Sequence, residues 1–310
     1  MSETEREALL RRFGLSEADR LHHGMEAQVY ALGPDQVLKL YPSPGRLADL
    51  LTLRDFYAAL DRSALPYVLP AIRQVTVEGD FCASIEPRLP GAPMSALLPG
   101  LDRARMDDLL QAYLAAVLAL GRLPPPPGLE RYLLFDPANL SRFADGDFHH
   151  FLDRFLTHRL AQTEATFRRD VRDFDAKLRS LRAILARPYT GSLRVVHGDF
   201  FPGNLLVDVA GRVTALLDFG CMTLLGDPLF DLATACVFFD MYDELKANLR
   251  ERLLAMAVEQ AGAQARGKLA RYVLIYSLLT ANAYSPDCAD GHYRWCVDNL
   301  NREEDWEIIA

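Results

Sequence analysis

Three oxygen-bearing side chains lie at short spacings in the second half of the chain. Asp199 and Asn204 stand at the two ends of Asp-Phe-Phe-Pro-Gly-Asn, and Asp218 opens Asp218-Phe219-Gly220. Two carboxylates and a carboxamide are hard oxygen donors, which suit Mg²⁺ when it is bound by few protein ligands together with phosphate oxygens. The residues therefore indicate a site for a metal ion and a phosphate group.

A strand, a loop and a hairpin must position these side chains. Residues 193–196 form a short apolar run that predicts a buried strand leading into the loop. Residues 205–207 and 213–217 predict two further strands, paired across a turn at 208–211. We expect this hairpin to bring Asp199, Asn204 and Asp218 close together.

The motifs resemble those of a known family. The spacing of Asp199 and Asn204 equals the D-x-x-x-x-N of kinase catalytic loops, and Asp218-Phe219-Gly220 equals the metal-binding D-F-G. The loop begins H-G-D rather than H-R-D, and residues 226–233 read Gly-Asp-Pro-Leu-Phe-Asp-Leu-Ala. The chain thus resembles the aminoglycoside phosphotransferase and choline kinase-like family of small-molecule kinases. Any one of these aspartates could instead cap a helix or belong to a turn, but three motifs in the family's order are not expected by chance.

The resemblance implies an α+β, bilobal protein kinase-like fold, with an N-terminal antiparallel sheet plus helix and a mostly helical C-terminal lobe. Residues 1–90 would form the nucleotide-binding lobe, and residues 91–310 the helical lobe with the catalytic loop and substrate pocket. The sequence pattern agrees with this division, because predicted strands come before residue 86 and predicted helices follow residue 100. These elements are strands at 26–32, 36–41 and 75–85, and helices at 1–20, 47–60, 102–120, 148–160 and 167–185.

The resemblance also assigns roles in the helical lobe. Asp199 would accept the proton or hydrogen bond of the substrate hydroxyl, while Asn204 and Asp218 would hold Mg²⁺. His197 would pack and hydrogen-bond under the loop. Asp231, in the downstream motif, would accept backbone N–H bonds from the catalytic loop.

In the first lobe, Lys39 corresponds to the strand lysine that pairs with nucleotide phosphates. It is the first lysine in the chain and follows a predicted hairpin. The family holds this lysine with an acidic residue on the next helix, but no glutamate occurs between Glu26 and Glu78. The candidates are Asp49 and Asp55, and alignment with the family's helix favours Asp55.

The remaining nucleotide contacts follow from the same resemblance. Gly24 is the single glycine of the loop that would cover the phosphates with its backbone amides. Residues 85–88, which include Glu86 and Arg88, would supply the backbone that meets the adenine edge. The implied cofactors are ATP, with GTP as the alternative nucleotide, and Mg²⁺.

The composition limits the classes of partner. The chain has 34 Lys and Arg against 42 Asp and Glu, so its formal net charge is −8. Nucleic acids and anionic membranes recruit dense positive charge, so neither is an expected partner. The charged N-terminus and the absence of a long apolar run predict a cytoplasmic protein with no membrane span. The expected partner is a small hydroxylated molecule, bound by a monomer or a homodimer.

The function predicted from the sequence is ATP-dependent O-phosphotransfer to a small molecule, with an aminoglycoside-like antibiotic favoured. Acidic residues in the last thirty positions could recognise a cationic acceptor, although such a run is more often a solvated face. The alternatives are a metabolic kinase acting on choline, homoserine or a sugar, and a catalytically silent nucleotide-binding scaffold. A protein kinase is disfavoured, because the segment from Asp218 to Asp227 is too short for an activation loop that docks a polypeptide.

Overall fold

The computed structural model describes residues 3–24, 27–241 and 249–309. It divides into two compact units, one of Met1–Ala92 with Leu205–Asp218 and one of Pro93–Asn204 with Phe219–Ala310. The chain therefore crosses between the units three times, whereas the sequence predicted a single boundary after residue 90. The hairpin of residues 205–218 joins the first unit because its backbone bonds to Val68: Val68 N donates to Thr214 O (2.9 Å), and Leu216 N donates to Val68 O (3.1 Å).

The first unit is built on a five-stranded antiparallel sheet of order β1-β2-β3-β5-β4. Its strands are β1 (Arg20–His23), β2 (Gln28–Ala31), β3 (Gln36–Tyr41), β4 (Gln74–Glu78) and β5 (Phe81–Pro87), and its helices are α1 (Glu3–Arg12) and α2 (Leu47–Ala59). A short strand β6 (Ala92–Pro93) lies at the boundary of the two units. The hairpin consists of β8 (Leu205–Val207) and β9 (Val213–Leu216), with Leu205 opposite Leu216.

Alternation along the central strands separates an apolar face from a face that mixes apolar and polar side chains. Leu38 and Leu40 of β3 and Ala83 of β5 pack in a buried cluster with Leu9 and Leu10 of α1. Because successive side chains of a strand point to opposite faces, the residues between them lie on the other side of the sheet. That second face carries Lys39, Ser84 and Glu86.

Two predictions for this unit need correction. Residues 75–85 were read as one strand, but Gly79 and Asp80 form a tight turn that separates β4 from β5, with Glu78 opposite Phe81. Gly79 has φ +59°, a conformation that glycine adopts without strain. The predicted N-terminal helix is also too long, since α1 ends at Arg12 and β1 begins at Arg20. Residues 25 and 26 of the predicted strand and phosphate loop lie outside the described residues.

The second unit is mainly helical. Its helices are α3 (Met94–Leu97), α4 (Arg103–Leu120), α5 (Phe148–Asp170), α6 (Phe174–Leu185), α7 (Leu229–Val237), α8 (Leu249–Ala261), α9 (Ala265–Thr280), α10 (Gly291–Leu300) and α11 (Glu303–Ile309). Two short antiparallel strands, β7 (Arg194–Val196) and β10 (Leu224–Gly226), pair with each other and flank the catalytic loop in sequence. Across the described ranges, no helix combines the length and apolar character needed to span a membrane.

Helix α4 begins where the sequence predicted it, at Asp102. The Asp102 carboxylate accepts a hydrogen bond from Arg105 N (2.9 Å), which satisfies one of the N–H groups that the first turn leaves unpaired. Leu110, Tyr113 and Leu114 are fully buried on the inner face of this helix. The helix thereby becomes a fixed wall of the unit that holds the catalytic loop.

Replacing the cap tests this reading of α4. Asp102→Ala should lower the free energy of unfolding by about 1 kcal/mol, because the first-turn N–H group loses its acceptor. Urea unfolding followed by circular dichroism measures the effect. Asp108→Ala, an exposed aspartate within the same helix, is the matched control and should not reproduce the loss. Equal stability of the Asp102 variant and the native chain would contradict the capping role.

Candidate active site

The catalytic loop brings Asp199 and Asn204 together. Asn204 Nδ2 donates to the backbone oxygen of Asp199 (2.9 Å) and to its carboxylate Oδ2 (3.2 Å). Asn204 ends a short 3₁₀ turn that begins at Pro202, and its side chain is largely buried. The two residues singled out by their spacing thus form one hydrogen-bonded pair, in which the amide limits rotation of the carboxylate.

Asp231 fixes the start of this loop. It lies in the first turn of α7, only 3 % exposed, and accepts hydrogen bonds from the backbone N–H groups of His197 (2.6 Å) and Gly198 (2.8 Å). Burial raises the pKa of Asp231 to about 7, and the charge of Asp199 acts in the same direction, while the two backbone bonds oppose them. Asp231 thus accepts N–H bonds from the start of the loop, and its role in holding that loop for catalysis stays a prediction.

Glycine is required at position 198. Its φ is +79°, and a Cβ built there would collide with the backbone oxygen of Met222.

Two hydrogen bonds orient His197. Its Nδ1 accepts from Asp199 N (3.2 Å), and its backbone oxygen accepts from Thr223 Oγ1 (3.1 Å). The His197 ring packs on Phe219 at a centroid distance of 4.5 Å. His197 is therefore hydrogen-bonded to the loop and packed against Phe219.

Helix α4 also contacts the loop, through Tyr113. The Tyr113 hydroxyl of α4 donates to the backbone oxygen of Phe200 at 2.6 Å and to that of Ala235 at 3.3 Å. Tyr113 is fully buried, so this hydroxyl has no competition from bulk water. The residue following Asp199 is thereby tied both to α4 and to the end of α7. Sequence reasoning missed Tyr113, because its helical periodicity is that of any core residue.

Asp227 of the downstream motif anchors the unit rather than the loop. Its buried carboxylate accepts from Lys268 Nζ (2.9 Å) and from the Tyr272 hydroxyl (3.0 Å), both on α9, and from the backbone N–H of Leu229 (3.0 Å). The burial of Tyr272 and the charge of Asp227 raise the pKa of the Tyr272 hydroxyl well above its usual range. For Asp227 and Pro228 by themselves, the sequence predicted only a turn.

In the first unit, Lys39 joins two carboxylates. Its Nζ lies 3.1 Å from Asp218 Oδ1 and 3.3 Å from Glu86 Oε2. Burial by itself lowers the pKa of Lys39, but the charges of Asp218 and Glu86 outweigh it and hold the pKa well above its usual range. The ammonium group is therefore charged at every physiological pH, as an anion-binding role requires.

Asp218 has an unusual backbone. Its φ is +52°, in the left-handed region, which aspartate tolerates better than bulky residues do. Asp218 follows β9 in the chain, and Asn204 precedes β8 directly. The pairing of Leu205 with Leu216 gives the hairpin the arrangement predicted from the sequence.

The predicted pairing of Lys39 with Asp55 is not found. The Asp55 side chain is 69 % exposed and forms an ion pair with its neighbour Arg54 (2.8 Å). Asp49, the other candidate, pairs with Arg46 (3.2 Å). The carboxylate beside Lys39 comes from Glu86, a residue for which the sequence predicted only a backbone contact with adenine.

The other two predicted nucleotide contacts are engaged within the unit. Gly24 N donates to Ala27 O (2.9 Å). Arg88 N, at the end of the predicted adenine-binding segment, donates to Asp35 O (2.9 Å). The Arg88 N–H is therefore used to hold the sheet edge, and its predicted role in binding adenine has no support in these contacts.

The donor set suits a metal shared with phosphate. Among the residues that the structure describes, no three His, Cys, Asp or Glu side chains form a cluster that could hold a metal ion. A metal ion shared with phosphate does not need such a cluster, because phosphate oxygens complete the coordination of Mg²⁺. The amide nitrogen of Asn204 is taken by Asp199, so its amide oxygen is the atom a hard cation would use.

Two tyrosines of the second unit feel the charge of Asp199: Tyr276 on α9 and Tyr284 in the loop between α9 and α10. Burial raises the pKa of the half-exposed Tyr284 to about 12, with the charge of Asp199 as the next cause. The same two causes raise the pKa of the buried Tyr276. Tyr284 packs edge-on against His292 (4.9 Å between centroids), and His292 lies against Trp295 (5.5 Å).

The pKa of Asp231 has a measurable consequence. A carboxyl group whose pKa rises from 3.8 to about 7 on folding adds stability that is complete below pH 3.8 and is lost as the pH rises to about 7. Across that range, the native chain should lose free energy of unfolding relative to Asp231→Asn, by up to about 1.4 kcal/mol per pH unit. Urea unfolding at several pH values measures the difference. Parallel curves for the two proteins would contradict the raised pKa.

Comparison with known proteins identifies the fold. Three solved structures match nearly the whole chain, each at low sequence identity. Aminoglycoside phosphotransferase APH(2'')-Ib with bound ADP is 16% identical at a TM-score of 0.62, covering 100% of this chain and 99% of its own. The gentamicin complex of APH(2'')-IIa is 17% identical at a TM-score of 0.64, covering 100% and 98%. APH(3'')-Id from Streptomyces rimosus, with ADP and streptomycin, is 16% identical at a TM-score of 0.57, covering 90% and 99%.

At these identities the structures establish a shared protein kinase-like fold. No curated protein matches the sequence significantly. The model of the phosphotransferase enzyme family, however, matches residues 17–271, which is well over half of the chain and includes all the predicted site residues. The chain belongs to the phosphotransferase enzyme family.

Proposed function

We propose that the protein transfers the γ-phosphate of ATP to a hydroxyl group of a small molecule, with GTP as the alternative donor. The observation that carries the proposal is the hydrogen-bonded pair of Asp199 and Asn204, at the spacing of a kinase catalytic loop. Asp231 holds the loop that bears this pair by two backbone hydrogen bonds. A silent scaffold would have no need for a carboxylate oriented in this way.

Asp199 acts on the acceptor. Its carboxylate accepts the hydrogen bond, and then the proton, of the acceptor hydroxyl, and aims the oxygen at the γ-phosphorus. The Asn204 amide on Oδ2 restrains the rotation of the carboxylate during this step. Positioning of the two reactants supplies most of the rate enhancement, because phosphoryl transfer needs little covalent chemistry from the protein.

Lys39 binds the nucleotide phosphates. It is a permanently charged ammonium group on a rigid strand, held by Glu86 and Asp218. Asp218 and Asn204 are the residues that would hold Mg²⁺. When bound there, the ion neutralises phosphate charge that builds up as the phosphoryl group moves.

An aminoglycoside is the first candidate acceptor. Two solved relatives of this fold are complexes with gentamicin and streptomycin. The acidic C-terminal residues give this candidate little support, because most of them already have partners in the second unit. Glu303 pairs with Lys177 (2.9 Å), Glu304 with Arg302 (3.2 Å) and Asp305 with Arg250 (3.3 Å), while Asp290 caps α10.

A metabolic alcohol is the second candidate, and the ring of Tyr284 favours it. Tyr284 is half-exposed, so its ring has an accessible surface, whereas Tyr276 and Trp295 are buried and pack against each other. Ring faces stack on sugar rings and also attract a single quaternary ammonium group. Choline, an amino alcohol such as homoserine, or a sugar would therefore fit as well as a polycationic antibiotic.

The first test is release of ADP in the presence of ATP, Mg²⁺ and a panel of acceptors. The panel holds aminoglycosides, choline, homoserine and sugars. We expect one acceptor class to stimulate release, and Asp199→Ala to lower that rate by about 10²- to 10⁴-fold while ATP still binds. Full activity in the variant would refute the assignment of Asp199. ATP binding without stimulation by any acceptor would favour the silent scaffold.

Removal of the metal tests the second assignment. Chelation with EDTA should stop turnover, and Asp218→Asn should raise the Mg²⁺ concentration for half-maximal turnover by about tenfold or more, because a charged oxygen ligand is lost. The matched control is Asp208→Asn, in the turn of the same hairpin, where the aspartate pairs with Arg212. An unchanged Mg²⁺ requirement in Asp218→Asn would show that the metal is held elsewhere.

A further inference from the structure

Lys39 and its carboxylate partner Glu86 lie on neighbouring strands of one sheet. In the antiparallel register of β3 and β5, Ser84 lies opposite Lys39, and Glu86 lies opposite Val37. Lys39, Ser84 and Glu86 thus project from the same face, the one that the α1 cluster leaves open. The separation of the ammonium and carboxylate groups is set by the backbone ladder of the sheet.

Glu86 is held as a specific partner. It is only 5 % exposed, and its Oε1 accepts a hydrogen bond from the buried Ser84 hydroxyl at 2.7 Å. Its other oxygen, Oε2, lies 3.3 Å from Lys39 Nζ. Each carboxylate oxygen therefore has its own partner, which is the condition under which a buried ion pair has a defined geometry.

Helix α2 has no carboxylate in this position. Asp49 and Asp55, its only acidic residues, pair with Arg46 and Arg54. Tyr57 of this helix interacts electrostatically with Lys39. Burial raises the pKa of the Tyr57 hydroxyl well above the usual range, and the charge of Lys39 opposes that shift. A buried tyrosine thus stands on the helix that carries the lysine-binding acid in protein kinases.

We propose that Glu86 on strand β5, rather than an acidic residue of helix α2, orients Lys39 toward the nucleotide phosphates. Glu86 is a positioning residue, since it acts through Lys39. The proposal rests on the proposed phosphotransferase function, in which Lys39 binds phosphate. Its consequence is that the lysine and its carboxylate stay paired whenever the sheet is formed, whatever the position of α2.

This arrangement removes a means of regulation. In protein kinases the pair of strand lysine and helix glutamate forms only when the helix docks, and that docking is where activity is controlled. Here both members of the pair belong to one hydrogen-bonded sheet. The ion pair of Lys39 and Glu86 is therefore always formed in the folded protein, which suits an enzyme whose activity is controlled by the supply of its substrates.

Direct nucleotide binding tests the proposal without any acceptor, so it does not depend on finding the substrate. Glu86→Gln keeps the shape of the side chain and an acceptor for Ser84 but removes the charge. We expect it to weaken binding of MgATP by about tenfold or more, because Lys39 loses the one of its two charged partners that is fixed in the same sheet, and to leave binding of adenosine unchanged. Displacement of a fluorescent nucleotide measures both affinities.

Three further variants make the result decisive. Glu78→Gln is the same chemical change on strand β4, where the glutamate pairs with Arg12, and it should leave MgATP binding unchanged. Ser84→Ala, which frees Oε1 while leaving the charge, should cause a smaller loss than Glu86→Gln and serves if that variant does not fold. Asp55→Asn represents the rival assignment and should bind MgATP normally.

Two results would overturn the proposal. One is normal MgATP binding by Glu86→Gln together with weakened binding by Asp55→Asn, which would return the role to α2. The other is an equal loss of MgATP and adenosine binding, which would mean that Glu86 only maintains the fold. If MgATP binding follows the expected pattern but no acceptor is ever phosphorylated, the positioning role stands and the proposed reaction fails.

Discussion

The carboxylate of Asp231 accepts hydrogen bonds from two successive backbone N–H groups, and the geometry of the catalytic loop depends on this contact. The loop can present its amides in this way because Gly198 adopts a left-handed conformation that no side chain would fit. Tyr113 holds the next part of the loop by the oxygen of Phe200. Asp199 and Asn204 are thus restrained before any ligand binds, so less conformational entropy is lost when a ligand binds.

The first unit solves a different electrostatic problem. A lysine set among buried residues would tend to lose its charge, since desolvation disfavours the ammonium form. Two nearby carboxylates reverse that tendency at Lys39, one buried in the sheet and one at the end of the hairpin. A phosphate group that approaches Lys39 meets a cation whose rotamer and charge are already determined.

The parts of the site that could be predicted from the sequence are those in which spacing along the chain determines spacing in space. Asp199, Asn204 and Gly198 belong to one loop, and the hairpin that ends at Asp218 is short. The strand carrying Lys39 and the cap of α4 at Asp102 follow from equally local signals. The family resemblance added Asp231, whose contact with His197 joins residues 34 positions apart in the sequence.

What could not be predicted depends on pairing between distant segments. The Lys39 partner is set by the register of β3 against β5, and residues 75–85 look like one strand until the turn at Gly79 is recognised. The resemblance predicted that an acidic residue of helix α2 pairs with Lys39, and Asp55 was the favoured candidate. Asp55 is exposed and pairs with its neighbour Arg54 instead. Likewise, the acidic residues near the C-terminus resemble a cation-binding wall until Lys177, Arg250 and Arg302 are found beside them.

The three crossings of the chain between the two units have a consequence for how such a protein can be divided. Two of the crossings fall directly after Asn204 and directly after Asp218. The first unit is therefore discontinuous, and a fragment ending at Ala92 would lack both the β8–β9 hairpin and the aspartate that pairs with Lys39. Neither unit can be exchanged between relatives as one contiguous segment, so recombination that exchanges a whole unit must exchange two separate stretches of the gene together.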